Sequence, residues 1–204
     1  MHISEGVLSW PVLASGWALT VAGVGLGLRR MDHERVMAVG LLSAAFFVAS
    51  LIHVPIGLAS VHLVLNGLLG LLLGWAAVPA ILAGLALQAL LFQYGGLTVL
   101  GVNTLNMALP AVLCHYAFRG LVRRPGWARL VGAFGAGAAG IALAGTLTAA
   151  SLALADEGFA AAAAAILLAH APVMVVEGLV TAGAVSFLAK VQPEMLQLDL
   201  GPGS

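Results

Sequence analysis

LVGAFGAGAAGIALAGTLTAASLALA, running from Leu130 to Ala155, is a stretch of 26 residues without a charge. A helix needs about 20 mostly apolar residues to cross a hydrocarbon core of roughly 30 Å, so this stretch reads as a membrane span. Comparable runs, separated by short polar punctuation, fill nearly the whole of the 204-residue chain, which is 62% apolar and only 8% charged. An ordinary soluble domain carries roughly 25% charged residues. Seven spans are predicted: Leu8 to Leu28, Val36 to Ile52, Val61 to Gly74, Ala77 to Gln93, Thr104 to Val122, Leu130 to Ala155 and Phe159 to Ala189. The third is short and meets the fourth near Trp75 and Pro79, where proline removes a helix donor and favours a bend. The fold class is all-α, a polytopic membrane protein of about seven transmembrane helices.

The basic residues orient it. Arg29, Arg30 and Arg35 lie between spans one and two, Arg119, Arg123, Arg124 and Arg129 between five and six, and Lys190 after span seven. With seven spans these places share one face, and cytoplasmic loops carry the Lys and Arg excess. Glu5, Asp156 and Glu157 then fall outside, with the N-terminus external and the C-terminus cytoplasmic. The chain divides into an extracytoplasmic segment 1–7, a helical bundle 8–190 and a cytoplasmic tail 191–204 that ends in a low-complexity Gly-Pro-Gly-Ser. The opening residues lack the basic flank and small-residue cleavage site of a secretory signal, so span one is expected to be retained, in a multi-pass protein of the cell (inner) membrane. A formal net charge of zero without a polybasic patch excludes nucleic acid as a partner. Cys114, the single cysteine, reads as packing within span five.

Topology sorts the six histidines. His2, His53 and His62 fall outside; His33 sits in the basic loop beside Asp32 and Glu34; His115 is near the inner end of span five; His170 is within span seven, two residues before Pro172. His2 is the informative one. A histidine following a free amino terminus can offer the Met1 amine, its own amide nitrogen and its Nδ1 to one metal ion. Three nearly coplanar nitrogens suit square-planar Ni(II) or Cu(II), or Co(II) forced toward that geometry. A fourth nitrogen would complete the set, with His62 the first candidate and His53 the reserve. His62 lies in His53-Val-Pro-Ile-Gly-Leu-Ala-Ser-Val-His62, and a second glycine-bent outer segment runs from Tyr94 to Asn106. Irregular backbone at membrane depth is tolerated only when buried or lining a cavity, so both segments are expected to fold inward over a site.

Two features inside the spans stay open on sequence. Gly132, Ala136, Gly140 and Ala144 form a small-residue row in span six, fitting either close packing within this chain or a docking face. Glu177, the acidic residue within a span, is a functional candidate by its cost; metal release, partner docking and a buried hydrogen bond are each compatible with it.

The opening MHISEGVLS, then PIGLASVHLVLNGLLG (Pro55 to Gly70), QYGGLTVLGVNTLNM (Gln93 to Met107) and AHAPVMVVEGLVT (Ala169 to Thr181), resemble the CbiM/NikM family over most of the chain. That resemblance implies the substrate-binding membrane subunit of an ATP-driven energy-coupling-factor importer for cobalt or nickel, the cobalt systems serving cobalamin biosynthesis. It implies a transmembrane coupling subunit and cytoplasmic ATPase subunits as partners. It places the metal site on Met1, His2 and His62, with Asn103 able to hydrogen-bond a ligating histidine and Ser60 and His53 as weaker supporting candidates. Ser4 and Val7 depart from commoner relatives in the opening motif. The absence of a further helix after span seven implies a small accessory membrane subunit.

The leading reading is therefore a non-enzymatic subunit that captures divalent cobalt at the outer face, with nickel the alternative, no organic cofactor, and ATP hydrolysis left to other chains. No Gly-x-x-x-x-Gly-Lys segment occurs. An intramembrane enzyme built on Ser186, His170 or Glu177 is the competing class. The chain offers it neither a Gly-x-Ser-x-Gly elbow nor a His-Glu-x-x-His pair. A vitamin-binding subunit would favour an aromatic-lined cavity, and only 6% of residues are aromatic.

Overall fold

Pro11 opens α1 (Trp10–Arg29) in the first turn, where its missing N–H is one the helix leaves unpaired anyway. In the computed structural model, which describes residues 2–56, 59–155 and 160–196, with side chains at all of these except 33, 53–61, 160–167 and 169, six more α-helices follow. They are α2 (Val36–Ala49), α3 (Asn66–Leu73), α4 (Ala77–Phe92), α5 (Leu100–Val122), α6 (Trp127–Ala153) and α7 (Ala160–Val191). A two-stranded antiparallel ribbon, β1 (His53–Ile56) and β2 (Ala59–His62), precedes α3, with His53 registered opposite His62. Met1, Asp156, Glu157 and the terminal Gly-Pro-Gly-Ser lie outside the described residues.

Contacts set the helix directions. Asn66 reaches Met107, and an added Cβ on Gly70 or Gly74 would meet Ala111 or His115, so α3 runs parallel to α5. Gly27 packs on Pro79 and Gly23 on Val78, while Gln88 reaches back to Ser50 near the other end. Consequently α4 runs opposite to α1 and α3. Asn106 pairs with Ser151 while Gly132 packs on Leu121, which makes α5 and α6 antiparallel. Helices α1, α3, α5 and α7 descend; α2, α4 and α6 return. All eight basic residues therefore collect at the end of the bundle opposite residues 2–5.

The outer surface is apolar on every side. Met37, Leu41, Leu90, Leu91, Leu179 and Phe187 are each well exposed, as lipid-facing residues are. Among the described residues, five stretches are long and apolar enough to cross a membrane: Trp10–Arg29, Asn66–Phe92, Leu100–Val122, Trp127–Ala153 and His170–Val191; α2 is a shorter apolar helix. Trp10 and Trp127, at opposite ends of the bundle, are 78% and 77% exposed, the placement of interfacial tryptophans.

The stretch predicted as span three differs from expectation. Its helix has 8 residues, all buried, which is about 12 Å of rise and too short to cross. Residues 61–65 enter the bundle as ribbon and irregular chain, and α3 starts at depth among α4, α5, α6 and α7. The chain then reverses through a 3₁₀ turn at Gly74–Ala76, so the single apolar stretch Asn66–Phe92 is two antiparallel helices. Gly74, at φ 57°, takes the left-handed conformation that ends α3. His115 donates Nδ1–H to the Gly70 carbonyl at 3.0 Å, satisfying a C-terminal group of α3.

The small-residue row of α6 packs within this chain. Gly132, Ala136, Gly140 and Ala144 are buried, and an added Cβ on Gly140 would come 2.7 Å from Asn66 Oδ1. Cys114 is buried in packing, as read from the sequence.

Candidate metal centre

The N-terminal segment lies down into the bundle because the backbone of Ile3 finds a partner there. Its N–H donates to Asn103 Oδ1 at 3.0 Å, and Asn103 Nδ2 donates back to the Ile3 carbonyl at 3.0 Å. Asn103 sits in the first turn of α5, which begins at Leu100, earlier than the predicted Thr104. Glu5 extends the attachment: its N–H bonds the Gly95 carbonyl at 3.1 Å, and its carboxylate accepts the Thr98 N–H at 3.0 Å and the Thr98 hydroxyl at 3.1 Å. The backbone donor of Thr98 first, and its hydroxyl second, hold the Glu5 carboxyl below the usual carboxylate range. The turn leading to Thr98 needs glycine. Gly95 and Gly96 have φ of 76° and 127°, and a Cβ there would come 2.8 Å from Asn103 Nδ2 and 2.1 Å from the Glu5 side chain respectively.

This attachment sets His2 beside His62. Their ring centroids are 5.0 Å apart with planes inclined at 31°, and Tyr94 lies 6.0 Å from His2 on another side. His2 Nε2 lies 2.7 Å from Gln88 Oε1. Gln88 directs its own Nε2 to Ser50 Oγ at 2.6 Å, and the Ser50 hydroxyl bonds the Phe47 carbonyl at 2.6 Å. The amide oxygen of Gln88 is thus the acceptor, so the proton of the neutral His2 ring is on Nε2 and the lone pair on Nδ1. His62 Nδ1 faces the Leu63 carbonyl at 3.0 Å, which fixes the opposite tautomer with the lone pair on Nε2. The two imidazoles thus carry complementary lone pairs with ring centroids 5.0 Å apart, His62 being 7% exposed and Gln88 fully buried. Such a nitrogen donor set suits late divalent transition metals.

The structure sets His2 beside His62, while Asn103, expected to hydrogen-bond a ligating histidine, instead bonds the backbone of Ile3 in both directions. His53 stands opposite His62 in the ribbon register and Ser60 opposite Pro55, while the side chains of His53, Ser60 and His33 lie outside what is described. Among the described residues no three His, Cys, Asp or Glu side chains gather to hold a metal, so buried His170 and Glu177 do not join the two histidines as a third ligand. Glu177 instead accepts backbone N–H bonds from Val64 and from Leu65, the latter at 2.9 Å, which realises the buried hydrogen bond among its three sequence readings. Ser186 bonds the Ala182 carbonyl of its own helix at 2.6 Å and forms no catalytic group with Glu177.

Sequence reasoning passed over Gln88 and Ser50. Gln88 carried a signal, being the only amide side chain in Ala77–Phe92, and a polar side chain in an apolar span asks for a partner.

Residues 2–195 match the CbiM family model, described as the cobalt uptake substrate-specific transmembrane region. The chain is 45% identical over 96% of its length to a "Putative metal transport protein" of Haemophilus influenzae, 97% of which is covered. It is 33% identical to a "Cobalt transport protein CbiM" of Sorangium cellulosum over the full length of both. It is 32% identical to a "Putative fused nickel transport protein NikMN" of Archaeoglobus fulgidus, over all of this chain and 70% of that protein. Among solved structures, a truncated transition metal transporter superposes with a TM-score of 0.80 at 29% identity, over 94% of this chain and 99% of the other.

Proposed function

The chain belongs to the CbiM family of metal transport proteins, and from that premise we propose that it captures divalent cobalt at the outer face of the cell membrane for ATP-driven import. The ion is the substrate. Its ligands in this proposal are the Met1 amine, the amide nitrogen and Nδ1 of His2, and Nε2 of His62. The observation that supports this best is the pair of imidazoles 5.0 Å apart with their tautomers set to present Nδ1 of one and Nε2 of the other. Residues 1–7 supply the metal-binding segment, 8–190 the bundle and 191–204 a cytoplasmic tail.

In the membrane, the basic end of the bundle faces the cytoplasm by the charge rule and the His2 end faces out. The ribbon, residues 63–65 and α3 together make one inward pass, so seven passes place the C-terminus inside. The mechanism asks three things of this chain: to strip water from the ion with four nitrogens, to exclude solvent with residues 62–65 and 93–99, and to release the ion inward when partners act. Those partners are a transmembrane coupling subunit, cytoplasmic ATPase subunits and a small accessory membrane subunit. No Walker segment occurs in this chain, so the purified protein is expected to bind metal without hydrolysing ATP.

Nickel is the second reading, favoured by the planar nitrogen set and by similarity to a relative named as a nickel transport protein. Calorimetric titration of the detergent-purified chain with Co(II) and Ni(II), repeated for His2→Ala, His62→Ala and a form with one residue added before Met1, tests both. Loss of tight binding in all three variants supports the site and the two wild-type curves rank the metals. Equal binding by all variants rejects it.

A further inference from the structure

Three residues, Leu63 to Leu65, separate His62 from the first residue of α3. They are held by Glu177, which reaches across from α7. Its carboxylate accepts the Val64 N–H through Oε1, and the Leu65 N–H at 2.9 Å to Oε1 and 3.1 Å to Oε2. Leu65 needs such a hold, since it has φ 55°, a left-handed conformation in which a side chain crowds the following carbonyl. It is also the N-cap residue of α3, and its own side chain makes no capping hydrogen bond.

The Val64 N–H and the Leu63 C=O belong to one planar peptide unit. At one edge of this unit Glu177 accepts the N–H; at the opposite edge the carbonyl faces His62 Nδ1 at 3.0 Å. The result is a continuous chain from carboxylate to peptide to imidazole. Metal-ligating histidines commonly donate their second ring N–H to a carboxylate or carbonyl, which fixes the ring and raises ligand basicity. Here both acceptors act in series, and hydrogen bonds in series polarise one another. At the far end of the chain α7 packs closely on α6, since a Cβ on Gly137 would come 2.5 Å from the Glu177 backbone oxygen. A fully buried carboxylate at membrane depth is costly.

We infer that Glu177 is a positioning residue for the cargo site, orienting the metal-binding nitrogen of His62 through the Leu63–Val64 peptide. This rests on His62 being a metal ligand, as proposed above, and goes beyond it by tying the site to α7.

The test is Co(II) titration of the intact detergent-solubilised chain, read by calorimetry and by the visible ligand-field spectrum of bound Co(II), with folding checked by gel filtration. Glu177→Ala is expected to weaken Co(II) binding by about 10–100-fold and to shift the spectrum. Glu177→Gln keeps an acceptor oxygen and is expected to recover most of both. A folded Glu177→Ala protein with wild-type affinity and spectrum overturns the inference. So does weakened binding with an unshifted spectrum that Glu177→Gln does not rescue, since that is the mark of general packing loss. If Glu177→Ala does not fold, Glu177→Asp decides: its shorter reach is expected to shift the spectrum, and a wild-type spectrum and affinity overturn the inference. His62→Ala run alongside separates the two readings. If it binds Co(II) normally the N-terminal site itself is wrong, whereas if it alone loses binding only the role of Glu177 fails.

Discussion

Asn103 and Ile3 exchange two amide hydrogen bonds, 3.0 Å in each direction, so that a side chain of α5 pairs with the N-terminal backbone as a neighbouring strand would. Both residues are buried, at 2% and 4% exposure. Asn103→Ala leaves the Ile3 N–H and C=O without that partner, and an unsatisfied buried group costs about 1–3 kcal/mol. The segment then detaches from α5, and Co(II) affinity measured by calorimetry should fall by about 10–100-fold while α-helical circular dichroism is unchanged. Wild-type affinity in Asn103→Ala would remove the N-terminal backbone from the site.

Gln88 governs the other face of His2. In Gln88→Leu the Nε2 proton of His2 loses its acceptor, and the tautomer that presents Nδ1 is no longer favoured. Ser50 keeps its own bond to Phe47, so the damage is local. The expected result is Co(II) binding weaker by about tenfold, at the low end for a group that orients a ligand, with a melting temperature close to wild type. A large stability loss with unaltered affinity would assign Gln88 to packing instead.

Glu5 makes the attachment pH-dependent. Its folded pKa lies below the ordinary value of 4.5 because Thr98 donates two hydrogen bonds to the carboxylate. A carboxyl with a depressed folded pKa stabilises the attached state above its unfolded pKa, and this contribution disappears as pH falls through the folded value. Protection of the Glu5 and Thr98 amides against hydrogen exchange, corrected for the intrinsic pH effect, should therefore decline below about pH 4.3, the unperturbed Glu range. In Glu5→Gln the protection should be lower at neutral pH and lack that acid step; an acid step that persists in Glu5→Gln would assign it to another group.

How far the site could be read beforehand depended on whether each residue's role was local. His2 and His62 stood out as imidazoles at the end of an apolar chain that the charge rule assigns to the outside. Asn103 was reached only through the family motif. Leu65 was invisible, since nothing marks a leucine as left-handed until Glu177 is seen to hold its N–H. The turn between α3 and α4 was legible, in a short third span that meets the fourth near Trp75 and Pro79; what was hidden is that residues 61–65 are not helical, because a hydropathy profile records composition and not backbone conformation. Gln88 was legible and passed over.

Glycines separate tight from open positions. At Gly70 an added Cβ would stand 2.0 Å from the Ala111 carbonyl oxygen, whereas at Gly25, in α1, nothing lies within 4 Å. The first neighbour is backbone and cannot step aside, so Gly70→Ala should destabilise by about 1–3 kcal/mol as an overpacked core does. Gly25→Ala should be neutral or stabilise by about 0.5–1 kcal/mol through helix propensity. Thermal unfolding in detergent, followed by circular dichroism, checks the pair; equal shifts would mean that α3 and α5 are not so closely packed.

Orientation can be tested with residues already exposed at the two ends. Ser4 and Arg124 are both exposed, and Cys114 is buried at 1% exposure, so Cys114→Ala provides a cysteine-free background with little surface change. With all eight basic residues at one end, the charge rule puts that end in the cytoplasm. A membrane-impermeant maleimide should label Ser4→Cys in intact cells and Arg124→Cys only after lysis. The reverse pattern would place His2 and His62 on the cytoplasmic side, turning a capture site into a release site and requiring the direction of transport to be argued anew. Labelling of neither in intact cells, with both labelled after lysis, would put the two ends on one side and contradict the odd number of passes that the antiparallel helices require.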